Sequence, residues 1–270
     1  MRLSVSNIAW KQHDDPVILA MLRTLDVSGI ELAPTKIWPE WIGATPTAAA
    51  AYGQNLRDEG FEVPAFQSIL FSRNDIAIFG DAGSKRRLVE HVHRVVELAH
   101  AMGACTLVFG SPQLRDPGQR TWLDAQDEAV EVFARLAETC AGTNVAIGLE
   151  PNPPEYGCRF ATSTTDVAEL VLTIDQPGLR VHLDSGQMAM TGEAPVVDAA
   201  GAMPMVCHVH ASEPWLAPWS RPVAPHHELA AVLRSHRYDG WVSLEMRHPS
   251  GDVVAELRNA VQIVKSLYFG

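Results

Sequence analysis

The chain has 270 residues, 47% of them hydrophobic, and sets 32 Asp+Glu against 21 Lys+Arg for a formal net charge of −11. A core of this size needs no covalent staple, and the acidic balance argues against a nucleic-acid partner, which would normally demand a basic stripe. The first residues, MRLSVSNIAW, are an alternating strand pattern rather than an export signal, and no apolar run approaches the ~18 residues that mark a membrane span. The four cysteines, Cys105, Cys140, Cys158 and Cys207, form no CxxC pair. Cys105 and Cys207 lie in apolar strand patterns and read as buried free thiols, so a reducing, cytoplasmic setting is expected.

Taken in chain order, eight strand patterns emerge, at Leu3–Trp10, Gly29–Ala33, Glu62–Ile69, Cys105–Ser111, Val145–Pro151, Leu179–Ser185, Val206–Ala211 and Trp241–Met246. They are short, aliphatic or β-branched and nearly continuous in apolar character, as strands covered on both faces should be. Helical patterns fill the intervals. Ser84–Met102 places Leu88, Val92, Val95, Val96 and Ala99 on one stripe and ends at Gly103. A second runs from Trp122 to about Cys140, His226–His227 opens the seventh helix, and Val253–Leu267 closes the chain. Strict alternation of this kind predicts a single-domain (β/α)₈ TIM barrel spanning residues 1–270. A doubly wound open sheet is the alternative, but the first strand lacks a GxGxxG turn.

The long irregular segments all follow strands, on the side of a barrel where function is built. Four strand patterns end there in a potential ligand: Glu150, Asp184, His210 and Glu245, at intervals of 34, 26 and 35 residues. Each interval is about one strand plus one crossover helix, so the four side chains converge on one rim. One strand-end carboxylate alone is as readily a helix cap or an ion-pair partner. Four potential ligands on consecutive strands are harder to explain that way, and Glu150 and Glu245 leave purely apolar runs (VAIGL and WVSL), where burying a charge is costly unless a cation is present. Three carboxylates and an imidazole suit manganese first, or magnesium, with cobalt and zinc as alternatives, and four protein ligands leave positions open for substrate oxygens.

Residues EPNP at 150–153, HLDSGQM at 182–188, HVHASEP at 208–214 and SLEM at 243–246 together resemble the xylose isomerase-like TIM barrels. That superfamily includes sugar phosphate isomerases and epimerases, ketose 3-epimerases, inosose dehydratases and endonuclease IV. The resemblance implies that Glu150, Asp184, His210 and Glu245 are the metal ligands. It also implies that Glu150 and Glu245 are acid/base groups on opposite faces of a small carbohydrate, making the chain a metal-dependent sugar isomerase or epimerase. A lyase or dehydratase using the same site on a sugar or cyclitol is the alternative. A repair endonuclease is disfavoured, because Gln187 stands where the family often has His and because the chain is acidic.

Further substrate contacts are expected from Gln187, Glu155, Arg247, Gln67, Trp38 and His13, all at or beyond strand ends. Arg247 follows Glu245 by two and so is expected on its face, while Lys36 and Arg159 are surface or ion-pair residues unless they hold an anion. His182 and His208 alternate with Asp184 and His210 and read as hydrogen-bonded barrel-interior histidines rather than ligands. The rim loops carry Trp38, Trp41, Trp215 and Trp219, of which Trp38 and Trp215 suggest a sugar-stacking wall, with loop packing or a homo-oligomer contact as the alternatives.

Overall fold

A computed structural model describes all residues, 1–270. The strands are β1 (Arg2–Ser6), β2 (Gly29–Glu31), β3 (Ala65–Phe66), β4 (Thr106–Phe109), β5 (Ala146–Leu149), β6 (Leu179–Asp184), β7 (Val206–Ala211) and β8 (Trp241–Leu244). All pairings are parallel, in the order β2-β1-β8-β7-β6-β5-β4-β3. Two isolated parallel bridges, Gly29 to Glu62 and Leu32 to Phe66, close β2 onto β3. The result is the expected (β/α)₈ barrel.

The helices are α1 (Asp15–Arg23), α2 (Pro34–Ile37), α3 (Pro46–Asp58), α4 (Ala82–Met102), α5 (Trp122–Glu138), α6 (Thr164–Ile174), α7 (Ser185–Thr191), α8 (Asp198–Ala202), α9 (His226–Ser235) and α10 (Val253–Val264). Their ends follow local chemistry. Asp81 caps α4 through Ser84 N–H and Gly103 ends it at φ 99°, a conformation that favours glycine. Ser163 and Asp166 form a reciprocal capping box on α6. The apolar stripe expected on α4, from Leu88 to Ala99, is buried.

Several strands are shorter than their apolar patterns. Ser6 ends β1 by accepting from Ile8 N–H as the chain turns into a short 3₁₀ helix. β3 shrinks to two residues because Pro64 lacks the N–H that a longer ladder requires. Cys105 corrects the thiol expectation. It precedes β4 on the open face opposite the rim and is exposed, whereas Cys207 is half-buried and Cys140 and Cys158 are buried.

The barrel interior is unusually polar for a space that branched aliphatics usually fill. Register aligns Ser4 with Ser243, Ser6 with Glu31 and His210 with Ser243. Ser4 and Ser243 share a hydrogen bond, and His208 Nε2 reaches Ser243 Oγ at 3.1 Å. These groups form the floor beneath the rim.

His91, on the inner face of α4, donates from Nε2 to Ile69 O at 2.8 Å and meets the Trp41 ring edge-on at 4.8 Å. Burial lowers its pKa from 6.5 to about 4. The unfolded chain therefore binds more protons between those values, and stability falls as pH drops from 6.5 toward 4, by about 3 kcal/mol for this group. Denaturant unfolding at pH 7 and pH 4.5 should show His91→Gln losing less stability on acidification than the parent. An equal loss would overturn the assignment.

Candidate active site

The four strand-end residues converge. His210 Nδ1 lies 3.2 Å from Glu245 Oε2, 3.5 Å from Glu150 Oε1 and 3.6 Å from Asp184 Oδ2. It has no hydrogen-bond partner despite being buried. Asp184 and His210 are 1% exposed, and Glu150 and Glu245 are 7% exposed.

Each carboxylate has one oxygen fixed by the protein and the other turned toward His210. Asp184 Oδ1 caps α7 by accepting from Gln187 N–H at 2.8 Å and takes a second bond from Ser212 Oγ at 2.6 Å. Glu245 Oε1 accepts from Gln67 Nε2 at 2.7 Å, and the same amide nitrogen also donates to Ser6 Oγ at 2.7 Å. Glu150 Oε2 accepts from Asn152 Nδ2 at 3.0 Å. Behind it, the fully buried Arg115 donates to Asn152 Oδ1 at 2.5 Å and to Ala161 O at 3.2 Å.

His210 is held from the opposite side. Its Nε2 donates to Glu31 Oε1 at 2.9 Å, and His208 Nε2 reaches Glu31 Oε2 at 2.6 Å. Burial raises the cost of the Glu31 charge, but the two imidazoles hold its carboxyl well below the usual carboxylate range. A histidine with a carboxylate on one nitrogen and its other nitrogen presented to a cluster of acids has the arrangement of a metal-ligating histidine.

The donor set fits a hard divalent cation. Asp184, His210 and Glu245 each offer a donor atom within 4.8 Å of the others, and so do Glu150, His182 and His210. Burial favours neutral His210, but the carboxylates of Glu245 and Glu31 raise its pKa well above the ordinary value. Burial, with Asp184 and Glu150 nearby, also raises Glu245, even though His210 opposes the shift. The cluster thus draws positive charge, a demand that a metal ion meets.

Above these residues opens a cavity of about 180 Å³, lined among others by Gln67, Asn152, Tyr156, Gln187, Glu150 and Glu245. Gln187 lines it with a buried Oε1 that has no hydrogen-bond partner. Gln67 lines it too, but its amide is committed to Glu245 and Ser6. Gly110 lies at the wall, where an added Cβ would stand 2.3 Å from Glu150 Oε2. Gly110→Ala should therefore displace Glu150 and cut metal affinity at least tenfold, read by calorimetric titration with manganese. Parental affinity would show that Glu150 is not held there.

The other expected contacts lie elsewhere. Glu155 is exposed on a short turn, while its neighbour Tyr156 faces the cavity. Arg247 is exposed because β8 ends at Leu244, so the strand alternation that would have aligned it with Glu245 has stopped. Trp38 is buried against Tyr52, with ring centroids 6.2 Å apart. The His13 side chain is 73% exposed, 3.5 Å from Asp14. Lys36 donates to the carbonyls of Asn7 and Trp10, and Arg159 pairs with Asp116 at 3.0 Å. Of the four rim tryptophans, Trp38, Trp41 and Trp219 are buried and Trp215 is 56% exposed. Trp215 meets Tyr156 edge-on at 4.9 Å.

His182 is fully buried with both ring nitrogens unpartnered, its Nε2 3.5 Å from Glu150 Oε1, and burial lowers its pKa well below the ordinary value. Glu31, Asn152 and Arg115 were not anticipated. Glu31 carried the same signal as the four strand-end residues, since it closes GIE of β2. Asn152 lies two residues past Glu150 in EPNP, and nothing local marks Arg115.

The xylose isomerase-like TIM barrel family model matches residues 19–267. Among curated proteins none matches the sequence. A D-psicose 3-epimerase structure determined in the presence of D-fructose superposes with a TM-score of 0.82 at 17% identity, covering 100% of both chains. The apo 3-keto-D-glucoside 4-epimerase of E. coli gives 0.76 at 15% identity, covering 98% of this chain and 99% of that one. A probable 3-DHS dehydratase of Bacillus anthracis gives 0.75 at 18% identity, covering 98% and 99%. At these identities the likeness is one of fold.

Proposed function

The chain belongs to the xylose isomerase-like TIM barrel family, and from that premise we propose that it is a divalent-metal-dependent sugar isomerase or epimerase acting on a small carbohydrate. The observation that carries the reading is His210 Nδ1, buried and without a hydrogen bond, facing Glu150, Asp184 and Glu245 within 3.6 Å at the floor of the rim cavity. The sugar epimerases among the structural neighbours support the substrate class.

Glu150, Asp184, His210 and Glu245 would hold the ion, with manganese favoured by the oxygen-rich set. Bound there, a divalent cation supplies Lewis acidity toward carbonyl and hydroxyl oxygens. The protein's own groups do the proton work. Glu150 and Glu245 line the same cavity, so one carboxylate takes the proton from the carbon next to the carbonyl. The other, as a carboxylic acid, returns a proton from the opposite side. Asn152 and Gln67 each fix one oxygen of their glutamate while the other oxygen faces His210, so both carboxylates are held in one orientation beside the cavity. Gln187 offers its free Oε1 to a substrate hydroxyl.

Manganese-loaded protein should be incubated in deuterated water with a panel of ketoses, free and glycosylated at a hydroxyl away from the carbonyl. The expected result is deuterium next to the carbonyl in an epimer or isomer of unchanged composition. A product lighter by one water would instead identify a dehydratase built on the same glutamates, a chemistry represented among the structural neighbours. Absence of exchange with every sugar would overturn the reading.

A further inference from the structure

A second cavity adjoins the first. It encloses about 370 Å³ and shares Ser68, Ser111 and Pro112 with the inner one, which encloses about 180 Å³. The shared residues make one continuous cleft that runs outward from the acid cluster. Its outer wall is formed by Leu70, Phe71, Arg73, Asn74 and Gln113 among others.

Three features mark the outer part as a place for a second ring. Phe71 lines it while 64% exposed, although Leu70 beside it is buried. An aromatic face beside polar groups is what a sugar or aryl ring packs against. The side-chain amides of Asn74 and Gln113, both exposed, stand free to meet hydroxyls. Finally, Ser68 and Ser111, two of the three residues common to both cavities, have φ of 53° and 51°, a left-handed conformation that non-glycine residues adopt at a cost. Ser68 also ties the junction to the acid cluster: its Oγ donates to Gln67 Oε1 at 2.9 Å, and Gln67 holds Glu245.

The charge of the cleft restricts what fits. No Lys or Arg lines the inner cavity. The outer one has a single cation, Arg73, whose Nε and one terminal nitrogen are committed to Asp75 at 2.8 and 3.0 Å. Asp75 also accepts from Arg87 at 3.1 Å, outside the cavity wall. A phosphate would find none of the forked, uncommitted donors that anion sites use.

We infer that the substrate is a neutral keto sugar bearing a second ring through a glycosidic bond that leaves its carbonyl free, with the carbonyl-bearing sugar over Glu150 and Glu245 and the second ring between Phe71 and the amides of Asn74 and Gln113. This rests on the sugar-enzyme reading of the inner site but is tested by binding, without turnover. Calorimetry on the metal-loaded full chain should compare glucose, glucose 6-phosphate, cellobiose and phenyl β-glucoside. The second ring should raise affinity at least tenfold over glucose, and the phosphate should not. In Phe71→Ala, and separately in Gln113→Ala, the advantage of the two-ring probes should fall at least fivefold. Equal affinity for one-ring and two-ring probes, tighter binding of glucose 6-phosphate, or an advantage unmoved in both variants would overturn the inference. Gain from the second ring without deuterium exchange on any sugar would leave the subsite standing and remove the isomerase reading. Exchange without such a gain would do the reverse.

Discussion

Glu150→Gln and Glu245→Gln should each lower turnover by about a thousandfold or more, while the metal-free fold unfolds no earlier than the parent. The first expectation follows from chemistry, since a positioned carboxylate acting as acid or base contributes about 10²–10⁴ in rate, and each is also a candidate ligand. The second follows from electrostatics. Glu150, Asp184 and Glu245 crowd around one imidazole in a buried site, and like charges in such surroundings repel strongly. Replacing one by an isosteric amide relieves that repulsion. The parent should gain thermal stability when manganese is added, because a ligand that binds only the folded state stabilises it by mass action. That gain should shrink in both variants. Differential scanning calorimetry with and without manganese, beside steady-state kinetics, checks both halves. Full activity in either variant would remove the glutamates from the mechanism, and an early collapse of the metal-free variant would make them structural.

Glu31→Gln and Glu31→Ala should separate orientation from folding. Glu31 is fully buried and receives His210 Nε2 and His208 Nε2 on its two oxygens. The alanine variant leaves both imidazoles facing an apolar gap, and breaking a buried charged network by removing one member costs about 3–5 kcal/mol. The glutamine variant keeps the volume and one acceptor but no longer supports the basicity of His210. Loss of a carboxylate behind a metal-bound histidine typically weakens metal affinity about 10–100-fold. Urea unfolding should therefore show the larger loss in Glu31→Ala, and manganese titration should show weakened binding in both. Parental affinity in Glu31→Gln would mean that His210 is not oriented through Glu31.

Much of the site could be read from the linear chain because a parallel barrel turns position along a strand into position in space. A polar residue that ends an apolar run sits on the rim, and Glu150, Asp184, His210 and Glu245 meet there for that reason. Glu31 obeys the same rule on β2 and went unread because its interval from Glu150 spans two further strands. Where the strand stops, the rule stops. His13 and Glu155 lie on short 3₁₀ turns, Gln12–Asp14 and Pro154–Tyr156, and Arg247 on the loop after β8. No alternation pattern reports those turns. Arg115 illustrates the opposite limit: a guanidinium in a loop normally reads as surface, yet here it is buried behind Asn152.

The closure of the barrel between β2 and β3 rests on two isolated bridges and the backbone hydrogen bonds of Ile30, Leu32, Glu62 and Gln67, while β1–β8 and β4–β5 share ladders of four residue pairs. Cooperative units open first where backbone bonding is sparsest. Glu31 and Gln67 flank this junction, one holding His210 and the other Glu245. Partial opening of the wall would therefore slacken two of the four candidate ligands while β5 and β6 still carried the other two. A bound ion, by tying β5, β6, β7 and β8 together at their ends, would act as a clasp on the side of the cylinder away from that seam.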